Sequence, residues 1–194
     1  MTTTWPTLTQ AHDALRTAVA GVRDWDGPTP CAQWTAAQVL QHAAGDQLAY
    51  AMFLTGGPGP DGDPFAPSGT LDDAPATLAE EALTRAADAW AGVAADAQDV
   101  PVPVPPNALP AEIGVGACAL DAGVHAWDLA VASGAPSPLT ADLARELLPV
   151  ARAIVEPLRA YGAYAPALDP QPGDDDLALL LRYLGRRPDW TPSA

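Results

Sequence analysis

"DAGVHAWDLA", residues 121–130, sets an aspartate four residues before a histidine in a run that is otherwise mostly apolar. Extended outward, the run reads as one helix from about Ala111 to Ser133. Leu120, Val124, Trp127 and Val131 form an apolar stripe, and Cys118, Asp121 and His125 fall on the stripe beside it. Positions i and i+4 stack on one helix face, so Asp121 and His125 can offer an oxygen and a nitrogen to the same point. That is half a metal site. Asp128 either orients His125 or accepts hydrogen bonds from a neighbouring helix end.

A core helix of this length needs helical neighbours, and the rest of the chain supplies them. Leu8 to Arg23 carries an apolar stripe of Ala11, Leu15, Ala18, Val19 and Val22. "DWDGPTPCAQW" (24–34) then breaks the helix, and Thr35-Ala-Ala-Gln38 restarts it with a capping-box pattern, Trp34 standing before the cap to pack on Val39. This second helix is expected to reach Leu54. "GGPGPDGDPFAPSG" (56–69) is too polar and too interrupted to pack, which predicts a mobile loop or a lid. A third helix is expected from Ala74 to Ala97. In "DVPVPVPPNALP" (99–110) the repeated prolines remove ladder donors, so the stretch reads as a loop. A fifth helix follows from Thr140 to Tyr161, with kinks expected at Pro149 and Pro157, and a sixth over "DDDLALLLRYLG" (174–185). The pattern predicts an all-α protein: an antiparallel four-helix bundle with additional C-terminal helices. One domain spanning 1–194 is expected, with its core in 5–135 and a helical addition at 138–188.

Charge and cysteine usage narrow the function. A formal charge of −15, from 9 Lys+Arg against 24 Asp+Glu, repels phosphate backbones and anionic lipid, so neither nucleic acid nor membrane is an expected partner. Cys31 and Cys118 lie far apart, no secretory pattern opens the chain, and no apolar run reaches about 18 residues, so a reduced cytoplasmic protein is expected. A small-molecule substrate is the expected partner.

The missing ligand has two candidates, since the only other histidines are His12 and His42. His42, inside the capped second helix among Val39, Leu40, Ala43 and Ala44, is the better placed. His42, Asp121 and His125 would leave an open coordination position, as a catalytic divalent ion requires. Zinc or nickel leads; iron and manganese also accept this ligand mix. The competing reading makes His125 a hydrogen-bonded core histidine with Asp121 as its partner. Cys118 reads as a small buried hydrophobe or a cleft residue, and Cys31 as packing at the start of the second helix rather than as a nucleophile.

"TPCAQWTAAQVLQHAAGD" (29–46), "LDAGVHAWDLA" (120–130) and "ALLLRYLGRRP" (178–188) together resemble the DinB-like, mycothiol-dependent maleylpyruvate isomerase group. The resemblance spans most of the chain. It implies a four-helix bundle whose metal ligands are His42, Asp121 and His125, with mycothiol as a possible thiol cosubstrate. Asp121 departs from the family's usual Glu by one methylene. Around the ligands, Asp46, Cys118, Asp128, Arg152 and Arg182 are candidate supporting or cleft residues. Every one of the nine cations is an arginine, and Arg85 on the third helix with those of the fifth and last helices, Arg145, Arg152, Arg159, Arg182 and Arg186, are candidates to hold an anionic thiol.

Fold and ligand triad do not fix the reaction. Three readings stand: a metal-dependent enzyme using a low-molecular-weight thiol for isomerase or S-transferase chemistry; a small-molecule binder or tailoring protein of secondary metabolism, its metal weak or absent, with a cleft lined by Trp34, Tyr50, Phe53, Trp90 and Trp127; and a scaffold with a vestigial site.

Overall fold

In the computed structural model, residues 3–192 are described. The chain runs α1 (Pro6–Gly21), α2 (Ala36–Thr55), α3 (Pro75–Ala91), β1 (Val100–Pro101), β2 (Ala108–Leu109), α4 (Ala111–Ala132), α5 (Ala141–Arg159) and α6 (Asp176–Tyr183). It is an all-α, DinB-like bundle. α4 packs on α1, α2 and α5, α3 packs on α2 and α1, and α6 packs on α5.

Each helix begins where the local chemistry allows. Pro6 opens α1 at a position where no N–H is needed, and Trp5 before it donates its indole N–H to the Trp90 carbonyl at 2.9 Å, tying α1 to the end of α3. α2 starts on the capping box read from the sequence: Thr35 Oγ1 accepts from the Gln38 N–H, and Gln38 Oε1 accepts from the Thr35 N–H. Such a cap contributes about 1 kcal/mol. Gly56 ends the helix in the left-handed conformation at φ 71°.

The expected end of α3 and the Pro-rich connection need correction. α3 stops at Ala91, six residues earlier than expected, because Gly92 follows it and the chain turns there with Gly92 and Val93 bonding back to Ala89 and Trp90. The Pro-rich connection is not wholly loop. Val100 pairs with Leu109 and Pro101 with Ala108 in a two-stranded antiparallel ribbon, short enough that proline sits at its edge. α5 runs through both Pro149 and Pro157.

α4 is the axis of the core. It is apolar around nearly its whole circumference and is buried accordingly, from Gly114 through Ala130 without interruption. Its length and hydropathy would suffice to cross a membrane, contrary to the reading from the sequence, but 83% of its apolar window lies inside the bundle. Tyr50, Trp90 and Trp127 are buried core aromatics, and Phe53 lies at the surface. A helix so enclosed gives its buried ionisable groups a low-dielectric setting, and beside the Cys118 thiol α4 buries Asp121, His125 and Asp128.

Candidate metal centre

α4 and α2 face each other, and their polar residues meet between them. Asp121 Oδ1 lies 3.3 Å from His125 Nε2, one turn away on the same helix, and 3.5 Å from His42 Nε2 on α2. The three donor atoms all lie within 4.8 Å of one another, and each residue is at least nine-tenths buried. The i, i+4 spacing brings Asp121 under His125; the start of α2, fixed by its cap, brings His42 opposite.

The far side of each imidazole decides which nitrogen faces inward. His42 Nδ1 is 2.9 Å from the Pro64 carbonyl, and a carbonyl only accepts, so Nδ1 carries the proton. His125 Nδ1 is 2.9 Å from Asp128 Oδ2 and donates to that carboxylate. Both Nε2 atoms are thereby turned on the same Asp121 oxygen. The other oxygen, Asp121 Oδ2, is buried and has no hydrogen-bond partner among the described residues. Two imidazole lone pairs and a carboxylate directed at one another repel unless a cation stands among them. A divalent ion answers that need, and the spacing suits it: bonds of about 2.0–2.1 Å at tetrahedral angles separate their donor atoms by roughly 3.4 Å. Without the ion a proton takes its place. Burial lowers the basicity of His125, but the Asp121 charge and hydrogen bonds to Asp121, Asp128 and Cys31 outweigh it and push the imidazole up. Burial likewise raises the Asp121 carboxyl, but the charges and hydrogen bonds of His125 and His42 outweigh it and hold it below the usual carboxylate range.

Asp128 answers why the helix carries a second aspartate. It is fully buried, and Arg186 grips it with Nε at 2.9 Å on Oδ1 and Nη2 at 2.7 Å on Oδ2. Burial raises this carboxyl, but the guanidinium and His125 hold it well below the usual range. Arg186 reaches it from beyond α6. Gly185 makes that reach possible: its φ of 80° and a neighbouring wall of Ala165 and Pro166 carbonyls at 2.8 Å from any added Cβ leave room for glycine only. Cys31 closes the group, with Sγ 3.3 Å from Asp128 Oδ2 and 3.5 Å from Arg186 Nη2. Cys31, His125 and Asp128 thus form a second set of ligand-capable groups beside the first.

The remaining candidates divide. Asp46, one turn after His42 and half-buried, has its carboxyl pushed up to about 7 by burial and by the Asp121 charge, against the pull of His42 and His125. Cys118 does not join the site. It turns into the core and donates to Gln47 Oε1 at 3.0 Å. Arg152 is exposed on the outer face of α5 rather than lining a cleft, and Arg182 is engaged by Asp174 at 2.8 Å, away from the ligands. Of the arginines, Arg186 is the one at the site. The sequence reading also missed Tyr164, whose phenol is pushed up to about 12 by burial and then by the charge of Asp121. It missed, too, the loop that holds His42. Residues 57–70 are no free lid: Gln38 Nε2 donates to the Pro67 carbonyl at 3.0 Å, Gln41 Nε2 to the Thr70 carbonyl at 2.7 Å, and the Gly69 N–H to Gln41 Oε1 at 2.7 Å. Trp34 and Phe65 flank His42, with ring centroids 4.7 Å and 5.2 Å from it.

Fold and site together define a class, the DinB-like helical bundles with a histidine and carboxylate cluster between two core helices. The family model of the mycothiol maleylpyruvate isomerase N-terminal domain matches residues 8–130, and the chain belongs to that family. It is also similar to uncharacterized proteins of two Mycobacterium tuberculosis strains, CDC 1551 / Oshkosh and ATCC 25618 / H37Rv. Each is 31% identical over 186 residues, covering 91% of this chain and 94% of the relative. No solved structure matches the chain. The family match ends before α5, so Arg186 lies outside it.

Proposed function

We propose that the protein is a divalent-metal enzyme that uses a low-molecular-weight thiol, mycothiol in the first instance, for isomerase or S-transferase chemistry on a small electrophilic substrate. The observation that carries the metal part is Asp121 Oδ2, a buried carboxylate oxygen without a donor among the described residues, beside two inward-turned imidazole nitrogens. His42, Asp121 and His125 would hold the ion, with zinc or nickel fitting the donors best. Bound there, a divalent ion supplies Lewis acidity that makes a thiol available as thiolate near neutral pH. The thiol part rests on the family to which the chain belongs.

The chain's own residues prepare that chemistry. Pro64 holds the His42 proton on Nδ1, and Asp128 holds the His125 proton on Nδ1, so both rings present Nε2 without having to turn. Arg186 keeps Asp128 ionised inside the bundle, which keeps it an acceptor. Trp34 and Phe65 shield the His42 side from water and give an apolar substrate a surface to lie on. No protein nucleophile is required: the thiolate sulfur would add to one carbon of an activated double bond as the π pair moves to its neighbour; protonation there by the proton the thiol gave up yields the conjugate, whereas rotation about the new single bond and return of that pair with loss of thiolate yields the geometric isomer.

Calorimetric titration of zinc-loaded protein with mycothiol tests this reading. Binding that disappears when the metal is stripped is the expected result. No binding at about millimolar thiol, an affinity of only about 4 kcal/mol, would contradict it and leave a small-molecule binder in its place.

A further inference from the structure

We propose that Gly45 is a positioning residue for His42, acting through Pro64; its value to metal binding rests on the metal reading above, its effect on the imidazole does not. Gly45 lies in the interior of α2, where glycine is less favourable than alanine, so its presence calls for a reason in the packing. The reason is distance. A Cβ built on Gly45 would stand 2.9 Å from Pro64 Cγ and 3.0 Å from Pro64 Cβ. Real side chains do not approach so closely, and the atoms in the way belong to a ring bonded to its own backbone nitrogen, which cannot swing aside as a flexible side chain would. Making room would move the Pro64 backbone, and the Pro64 carbonyl moves with it.

That carbonyl is the acceptor for His42 Nδ1 at 2.9 Å. Gly45 is three residues after His42, so the surface that receives the proline ring and the imidazole that meets its carbonyl lie on neighbouring parts of the same helix face. The loop has little freedom to adjust elsewhere, because Gln41 and Gln38, about one and two turns earlier on α2, bond it at Pro67, Gly69 and Thr70. The bare Gly45 surface therefore seats Pro64, and Pro64 selects the His42 tautomer whose Nε2 faces Asp121. An imidazole without that acceptor can protonate either nitrogen and can rotate. A neutral ring with its proton on Nε2 is no longer a ligand on the Asp121 side.

The test reads the tautomer directly. In metal-free protein labelled with ¹⁵N-histidine, at mildly alkaline pH, two-bond ¹H–¹⁵N correlations should show His42 of the parent protonated on Nδ1. Gly45→Ala should give a mixture of tautomers or an averaged signal, although alanine favours the helix. Gly45→Ala combined with Pro64→Gly, which removes the ring, should restore the Nδ1 proton. Zinc affinity by chelator competition should fall about 10–100-fold in Gly45→Ala and recover in the double variant. A Gly45→Ala protein that keeps a clean Nδ1 tautomer overturns the proposal, whatever its zinc affinity. A parent and variant that differ in tautomer as expected, while neither binds zinc, uphold the positioning role and overturn the metal reading instead.

Discussion

His12 and His125 are both buried imidazoles on helices that pack against each other, α1 and α4, yet their surroundings differ in kind. His12 Nε2 meets Gln47 Oε1 at 2.9 Å, Gln47 Nε2 donates to the Cys118 carbonyl at 3.1 Å, and Cys118 Sγ donates back to Gln47 Oε1 at 3.0 Å. Every member is neutral: burial pushes His12 down to about 4 and pushes the Cys118 thiol up. Around His125 the same bundle encloses two carboxylates, a guanidinium and a second imidazole, and still leaves Asp121 Oδ2 without a partner among the described residues. The first cluster is closed on itself, as a core polar network must be. The second has an acceptor to spare at Asp121, which Arg186 does not reach, and that spare acceptor is what distinguishes a site from a satisfied core.

The difference can be broken at its most charged point. Arg186→Met removes the partner of a fully buried carboxylate, and leaving such a charge uncompensated costs about 3–5 kcal/mol. Urea unfolding should show that loss in Arg186→Met, and most of it should return in Arg186→Met with Asp128→Asn, where no net buried charge is stranded. Equal stability of Arg186→Met and parent would mean that the buried pair does not carry the C-terminal segment onto α4.

The neutral cluster should reveal itself through pH. His12 titrates at about 4 when folded and at the ordinary 6.5 when unfolded, so between those values the unfolded chain binds more protons. Stability contributed by neutral His12 is therefore full above about pH 6.5, falls as pH drops toward about 4, and amounts to something on the order of 3 kcal/mol. Unfolding measured across that range for parent and His12→Gln should converge toward the acid end, because the variant has no imidazole to charge. Parallel curves would remove the distinction.

Much of the bundle was legible because it is encoded locally. The Thr35 to Gln38 cap, the apolar stripe of α1 and the i, i+4 pairing of Asp121 with His125 all follow from helix geometry and a few adjacent residues. What escaped was set by packing between distant segments. Asp128 and Arg186 are 58 positions apart, His42 and its Pro64 carbonyl 22, and no periodicity links either pair. Cys118 sits on the expected stripe next to Asp121, but Gln47 from α2 claims its sulfur. The seven-residue spacing of Arg145, Arg152 and Arg159 marks the side of α5 that meets α6 and solvent rather than a cleft: Arg145 pairs with Asp176, and Arg159 lies against the Tyr183 ring. End residues of α3 were misjudged because Ala-rich sequence continues past Gly92 although the helix does not.

Smaller effects sharpen the same contrast. Gln47→Ala leaves His12 and Cys118 without their shared partner and should cost about 1–3 kcal/mol in a urea melt, without changing metal content. The two thiols should differ in the folded protein. Cys31 is half-buried beside Asp128 and Cys118 is wholly enclosed, so a thiol-reactive dye should label one cysteine in the native chain and two after denaturation. Labelling of both at once in the native state would mean that the neutral cluster opens as readily as the charged one.

The most direct test of the central claim is the metal content of protein expressed with zinc or nickel supplied, measured by inductively coupled plasma mass spectrometry for the parent, His42→Ala, His125→Ala and His12→Ala. The donor geometry calls for about one divalent ion per chain in the parent, loss in His42→Ala and in His125→Ala, and retention in His12→Ala, because three protein ligands are the minimum for such a site. Parent protein that holds no ion, or His42 and His125 variants that hold it as well as the parent, would contradict the assignment of Asp121 and its two imidazoles as a metal site.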